Sequence, residues 1–137
     1  MTVSLNKYLT SDQFIGKTVF DNKERDCGKV KSLQIDPKNF AISGITAKKR
    51  LGKEYFLSRE YFEEIKKSGL YLNSTPIKPN DKVVDIKGNN LGKVIQMNLN
   101  SDTNKLESLE IKSRFKSRVI RSDDIVGIGK KITVKCS

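Results

Sequence analysis

The chain has no histidine and no tryptophan among its 137 residues, and only two cysteines and three prolines. Without histidine, the commonest general base and the commonest metal ligand are both missing. Cys27 and Cys136 stand far apart with no C-x-x-C spacing, so neither a zinc site nor a disulfide framework is expected. A cysteine nucleophile would lack its imidazole partner. Cys27 reads as core filler and Cys136 as part of a frayed terminus, in a reduced, cytosolic setting. There is no apolar run of membrane-spanning length and no signal peptide. The ending Val134-Lys135-Cys136-Ser137 puts cysteine second from the end, not fourth as prenylation needs. No catalytic residue, cofactor or metal ligand is expected.

Positive charge is what the chain has in excess: 27 Lys and Arg against 16 Asp and Glu, a net +11. Up to Thr75 there are 14 basic and 9 acidic residues, and beyond it 13 and 7, so the excess lies in both halves. Such a field favours polyanions, acidic membranes or an acidic protein partner. It also fits a soluble, lysine-rich surface with no partner at all.

The chain aligns with itself at an offset of 64 residues. Val19, Asp21 and Lys23 fall on Val83, Asp85 and Lys87, and Gly28-Lys29-Val30 falls on Gly92-Lys93-Val94. Leu33, Ile35, Ile42, Ile45 and Ala47 then meet Met97, Leu99, Leu106, Leu109 and Ile111 without a gap. With one residue dropped, Phe56-Leu57 meets Val119-Ile120 and Phe62 meets Ile125. Phased apolar positions over this length indicate an internal duplication. Expected divisions are an extension at 1–11, a first repeat at 12–73, a linker at 74–80 and a second repeat at 81–137. A segment of ~60 residues buries too little surface to be comfortably stable alone, so the repeats are expected to pack together.

Each repeat reads as short strands. In the second, Lys82–Ile86 and Leu91–Leu99 flank the turn Lys87-Gly88-Asn89-Asn90, and Ile95, Met97 and Leu99 alternate as one apolar face. A third strand covers Lys105–Lys112. Leu106, Leu109 and Ile111 are spaced three then two apart, as are Ile42, Ile45 and Ala47, which calls for a β-bulge near Ser43-Gly44 and Glu107-Ser108. Fourth strands at Glu54–Leu57 and Ser117–Arg121 lead to serine-capped turns or helices, Ser58 before Arg59–Lys67 and Ser122 before Asp123-Asp124. Closing strands are expected at Leu70–Asn73 and Ile132–Lys135. The fold class is all-β, as two tandem small β-barrels.

These residues resemble the PRC-barrel domain family, known from the photosynthetic reaction centre H subunit and the ribosome maturation factor RimM. The resemblance is carried by Val84-Asp85, Gly88-Asn89, Leu91-Gly92-Lys93-Val94 and Ser122-Asp123-Asp124-Ile125, and in the first repeat by Val19-Phe20-Asp21 and Cys27-Gly28-Lys29-Val30. The first repeat departs by having Glu24 in place of the turn glycine. The resemblance implies two PRC-type β-barrels without a catalytic centre, used for assembly contacts. Stand-alone two-copy chains of this kind resemble archaeal cell-division proteins that act with the FtsZ ring and its anchor SepF. That implies a cytoplasmic scaffold, recruited to the division site, that binds protein partners and forms a homo- or hetero-dimer. An RNA- or ribosome-associated role of the RimM kind is the alternative.

Two features imitate chemistry. Gly88-Asn89-Asn90-Leu91-Gly92-Lys93 has three residues between its glycines instead of the phosphate loop's four, and Val94 stands where Mg²⁺ needs Ser or Thr. Gly28 and Gly92 instead suit a turn exit or close packing against a neighbouring strand. Asp123 and Asp124 suit a helix start. The surface with most promise is a pair of basic hairpins: Lys48, Lys49, Arg50 and Lys53, with Lys112, Arg114, Lys116 and Arg118 alternating around Phe115 on one face if extended. These are candidate contacts for an anionic partner, an acidic protein surface first, although lysine and arginine also protect strand edges from aggregation. Nucleic acid is less favoured with one aromatic, and no direct membrane insertion is expected for want of an apolar element. Tyr55, Tyr61, Phe62 and Phe115 are the candidate apolar interface.

Overall fold

Alternation of apolar and polar residues builds two six-stranded sheets in the computed structural model, which describes residues 9–135. The first comprises β1 (Thr18–Phe20), β2 (Asp26–Ile35), β3 (Ile42–Lys48), β4 (Glu54–Ser58), β5 (Phe62–Lys66) and β6 (Gly69–Leu72). The second comprises β7 (Lys82–Asp85), β8 (Asn90–Leu99), β9 (Leu106–Lys112), β10 (Ser117–Arg121), β11 (Ile125–Ile128) and β12 (Lys131–Val134). The order is β4-β3-β2-β1-β6-β5 in one and β10-β9-β8-β7-β12-β11 in the other. Neighbours run antiparallel except the pair that ties the first strand to the last, Val19 beside Leu70 and Val83 beside Ile132. The chain divides between Ser74 and Thr75 into two compact units, one sheet in each.

Topology and register therefore repeat along with the apolar pattern. β2 and β8, and β3 and β9, lie 64 residues apart end to end; one residue is dropped before β4 and β10, and another before β6 and β12. The bulge falls where the spacing requires it. Gln34 faces Gly44 and Ile35 faces Ile42, which leaves Ser43 extra, and Asn98 faces Ser108 and Leu99 faces Leu106, which leaves Glu107 extra. A second bulge, one the spacing of β3 and β9 does not reveal, leaves Lys31 extra in β2 and Ile95 in β8. It breaks the alternation expected of Ile95, Met97 and Leu99: Val94 is buried while Ile95 and Leu99 are exposed.

The sheets do not close into barrels, contrary to the expectation from the sequence. β4 pairs only with β3 and β5 only with β6, so both are outer strands, as are β10 and β11. The reason lies in the connection. The anticipated helix over Arg59–Lys67 is a single 3-10 turn, Arg59–Tyr61, and the residues after it form β5. Strands about 4.8 Å apart would hold the edges of a flat six-stranded sheet about 24 Å apart. The four peptide steps from Ser58 to Phe62 reach at most about 15 Å, so the sheet must coil until its edges approach at that corner. Even so, no ladder joins β4 to β5. The turn is tied down by Asn73, whose N–H donates to the Tyr61 carbonyl at 2.9 Å and whose Nδ2 donates to the Glu60 carbonyl at 2.8 Å. In the second unit the Lys135 N–H donates to the Asp124 carbonyl in the same way.

The paired aspartates close the first turn of each unit. Asp21 Oδ1 accepts from the N–H of Lys23 and Arg25, and Asp85 Oδ1 from the N–H of Lys87 and Asn89. Asp21 also takes the Arg25 guanidinium at 2.8 Å, where Asp85 has the Asn89 amide. Burial alone would raise the Asp21 carboxyl; the hydrogen bonds from Arg25 and Lys23 outweigh it and hold the group below its ordinary value. Gly28 and Gly92, the third residues of β2 and β8, occupy positive φ, 113° and 134°, directly against the next strand. A Cβ on Gly28 would lie 2.7 Å from the Lys48 carbonyl, and one on Gly92 2.6 Å from that of Lys112. These glycines thus permit close strand packing, not phosphate binding.

Each unit has its own core. Val19, Val30, Ile45, Leu57, Leu70 and Leu72 are buried in the first; Val83, Val94, Leu109, Ile111, Ile132 and Val134 in the second. A four-residue helix, α1 (Ser11–Phe14), delivers Phe14 into the first core against Phe62. Cys27 is buried there, its thiol donating to the Arg25 carbonyl at 3.5 Å. Ile77 belongs to the second core, and Lys78 beside it is buried with its ammonium 3.5 Å from Asp81. Cys136 lies outside the described residues.

Candidate functional site

The β3–β4 and β9–β10 connections are the features on which charge, exposure and duplication coincide. Lys48 ends β3 half-buried, and Lys49, Arg50 and Lys53 stand exposed beyond it. Lys112 ends β9 exposed, followed by exposed Arg114 and Lys116, while Arg118 is half-buried in β10. The four basic residues around Phe115 do not share one face. The chain bends at Arg114 and Phe115, and the ladder sets Ser117 opposite Lys112 but Arg118 opposite buried Ile111. Arg118 therefore points to the other side of the sheet from Lys112.

The tips also carry apolar residues. Phe115 is 90% exposed, with the Arg114 guanidinium 5.4 Å from its ring centroid. Leu51, which the offset of 64 places on Phe115, is 95% exposed. Leu51 was legible in the alignment of the two repeats but is not aromatic, so a reading that looks for aromatics passes over it.

The remaining apolar candidates behave differently. Tyr55 is buried, and its hydroxyl donates to the Cys27 carbonyl, which removes it from any interface. Tyr61 and Phe62 are half-buried, since the helix that would have displayed them is a 3-10 turn and a strand. Burial, with the neighbouring Glu60 charge, pushes the Tyr61 phenol up. Ser58 caps its turn by accepting from the Glu60 N–H, while Ser122 lies within the second 3-10 turn, Ser122–Asp124, so its capping role is not realised. Asp123 is exposed beside Arg121 at 3.8 Å. Among the described residues no group of three or more Cys, Asp or Glu side chains is placed to hold a metal ion. No helix among them is long and apolar enough to cross a membrane.

Two like sheets with a V-x-D turn, a close-packed G-K-V strand and a 3-10 turn before the last hairpin make a specific pattern. The family model for the PRC-barrel domain matches residues 7–76, just over half of the chain. This chain belongs to the PRC-barrel family. The match lies on the first unit, although the motif residues look more regular in the second, and the second unit of this PRC-barrel chain repeats the topology of the matched one. No curated protein matches the chain. The PRC-barrel fold is a non-catalytic scaffold that generally serves protein–protein interaction.

Proposed function

We propose that this PRC-barrel chain is a protein-binding scaffold of archaeal cell division that acts with the FtsZ ring and its anchor SepF. The observation that carries the scaffold role is the duplication of one topology whose outer strands are, among the described residues, paired on one side only. Among the described residues β4, β5, β10 and β11 each have a ladder neighbour on one side only, and a partner strand can add at the other, with main-chain bonds giving affinity and flanking side chains giving selectivity. Two such units on one chain raise the effective concentration of the second contact once the first has formed. The cell-division assignment is supported by the likeness of the two-copy arrangement to archaeal division proteins of this family.

The test is light scattering on the purified, nuclease-treated chain mixed with purified FtsZ and with purified SepF. A discrete complex with either supports the reading. A chain that stays monomeric and unbound with both rejects it. The second reading, RNA or ribosome association, is favoured only by the +11 charge, and it predicts binding that weakens steeply with salt.

A further inference from the structure

The register of the second sheet assembles a feature that sequence order conceals. Lys131 is the direct partner of Lys82, Lys82 of Lys93, and Lys93 of Lys112. Four lysines from β12, β7, β8 and β9 thus form one row across the sheet, all exposed, on the face opposite buried Ile132, Val83, Val94 and Ile111. With strands about 4.8 Å apart the row is about 14 Å long. Like charges directly opposite destabilise a sheet. Among the described residues none of the four ammonium groups lies within 4.0 Å of a carboxylate. The first unit lacks the row: Lys29 and Lys48 are flanked there by Thr18 and Glu54.

At the end of the row, three residues past Lys112, stands Phe115. It is the sole aromatic in residues 75–137, and it lies at the tip of a hairpin instead of in the core of its unit. We infer that the Lys131-Lys82-Lys93-Lys112 row and the Phe115 tip form a contact surface for an anionic lipid bilayer, with the lysines facing headgroups and Phe115 entering the interface. Two observations favour a bilayer over nucleic acid. Single-stranded nucleic acid is held by several stacking aromatics, and this unit has one. The equivalent tip in the first unit carries Leu51, which is just as exposed and has no π-face; what the two tips share is apolarity. A cationic surface joined to a small apolar element is what reversible attachment to an acidic membrane requires. This goes beyond protein scaffolding, since neither FtsZ nor SepF is needed for it.

The experiment is sedimentation of the full chain with phosphatidylglycerol vesicles and with phosphatidylcholine vesicles. Binding to the first and not the second is expected. Phe115→Ser should weaken it about tenfold, while Phe115→Leu should keep most of it. The quadruple lysine-to-glutamine variant, K82Q/K93Q/K112Q/K131Q, removes like-charge repulsion and so folds, and it should weaken binding about a hundredfold or more. Equal binding to both vesicles, or binding indifferent to these variants, overturns the inference. So does a Phe115→Leu loss as large as that of Phe115→Ser, or a chain that binds oligouridylate or an acidic protein through the row but no vesicle. The scaffold reading is tested separately, on the unaltered chain with FtsZ and SepF and no vesicle present, so failure here and failure of that reading are told apart.

Discussion

Adding one methyl group at Gly92 should damage the second sheet far more than adding one at Gly88, four residues earlier in the same hairpin. Both glycines have positive φ, 134° and 89°, so alanine is strained at either. That strain costs about 1–2 kcal/mol. At Gly88 nothing lies within 4 Å of the new Cβ. At Gly92 it meets the Lys112 oxygen at 2.6 Å, the Lys112 carbon at 2.7 Å and the Ser113 nitrogen at 2.9 Å, all backbone. β9 would have to move away from β8, and overpacking of this kind costs a further ~1–3 kcal/mol. A unit of this size holds only about 3–9 kcal/mol in total. Urea unfolding of the full chain, followed by circular dichroism, measures the difference. Gly88→Ala should cost about 1–2 kcal/mol and Gly92→Ala about 3–4, a further loss of roughly 8 °C or more in Tm. Equal costs for the two would refute the close-approach account of the Gly-Lys-Val motif.

Other expectations follow from the turns and the core. Glu24 and Phe40 hold φ of 61° and 58°, where the second unit has Gly88 and Asn104, so Glu24→Asn and Phe40→Asn should each raise stability by about 0.5–1 kcal/mol in thermal melts. Asp21→Ala should cost about 2–3 kcal/mol at neutral pH by leaving the turn donors and Arg25 without their acceptor. Because folding depresses the Asp21 pKa, its contribution is complete above the unfolded value near ~3.9 and fades as pH falls through the folded value, so the variant's deficit should shrink in acid-range unfolding curves. Tyr55→Phe should cost about 1–2 kcal/mol, seen in urea midpoints, by leaving the buried Cys27 carbonyl without the hydroxyl.

Local spacing carried much of the architecture. The gap of three between Ile42 and Ile45, matched by Leu106 and Leu109, was enough to place bulges near Ser43-Gly44 and Glu107-Ser108, because a period-two strand cannot put both apolar residues on one face; the register puts them at Ser43 and Glu107. Gly28 and Gly92, in phase with Lys-Val, left a turn exit and close strand packing both open, and the approach of the Lys48 and Lys112 carbonyls decides for packing. Closure was not legible. It depends on whether β4 meets β5, a matter of sheet coiling and of three residues, Arg59–Tyr61, whose serine cap suits a longer helix equally well. The bulge at Ile95 was hidden because Ile95, Met97 and Leu99 alternate in sequence as a buried face would.

The basic hairpins illustrate the same boundary. Lys112, Arg114, Lys116 and Arg118 alternate along the chain, yet a bend at Arg114-Phe115 sends Arg118 to the opposite face. The row that does share a face draws Lys82, Lys93, Lys112 and Lys131 from four strands, and only the register between strands brings them side by side. Exposure of Leu51 and Phe115 likewise belongs to the fold, since an apolar residue in a short loop is as readily tucked under as displayed.

Cross-strand proton–proton contacts from nuclear magnetic resonance on the full chain would test the duplicated open sheet most directly. The account predicts matching parallel contacts in the two units, Val19 with Leu70 and Val83 with Ile132, and none joining β4 to β5 or β10 to β11. A second half that lacks the Val83–Ile132 pairing, or a continuous ladder closing either sheet, would contradict it.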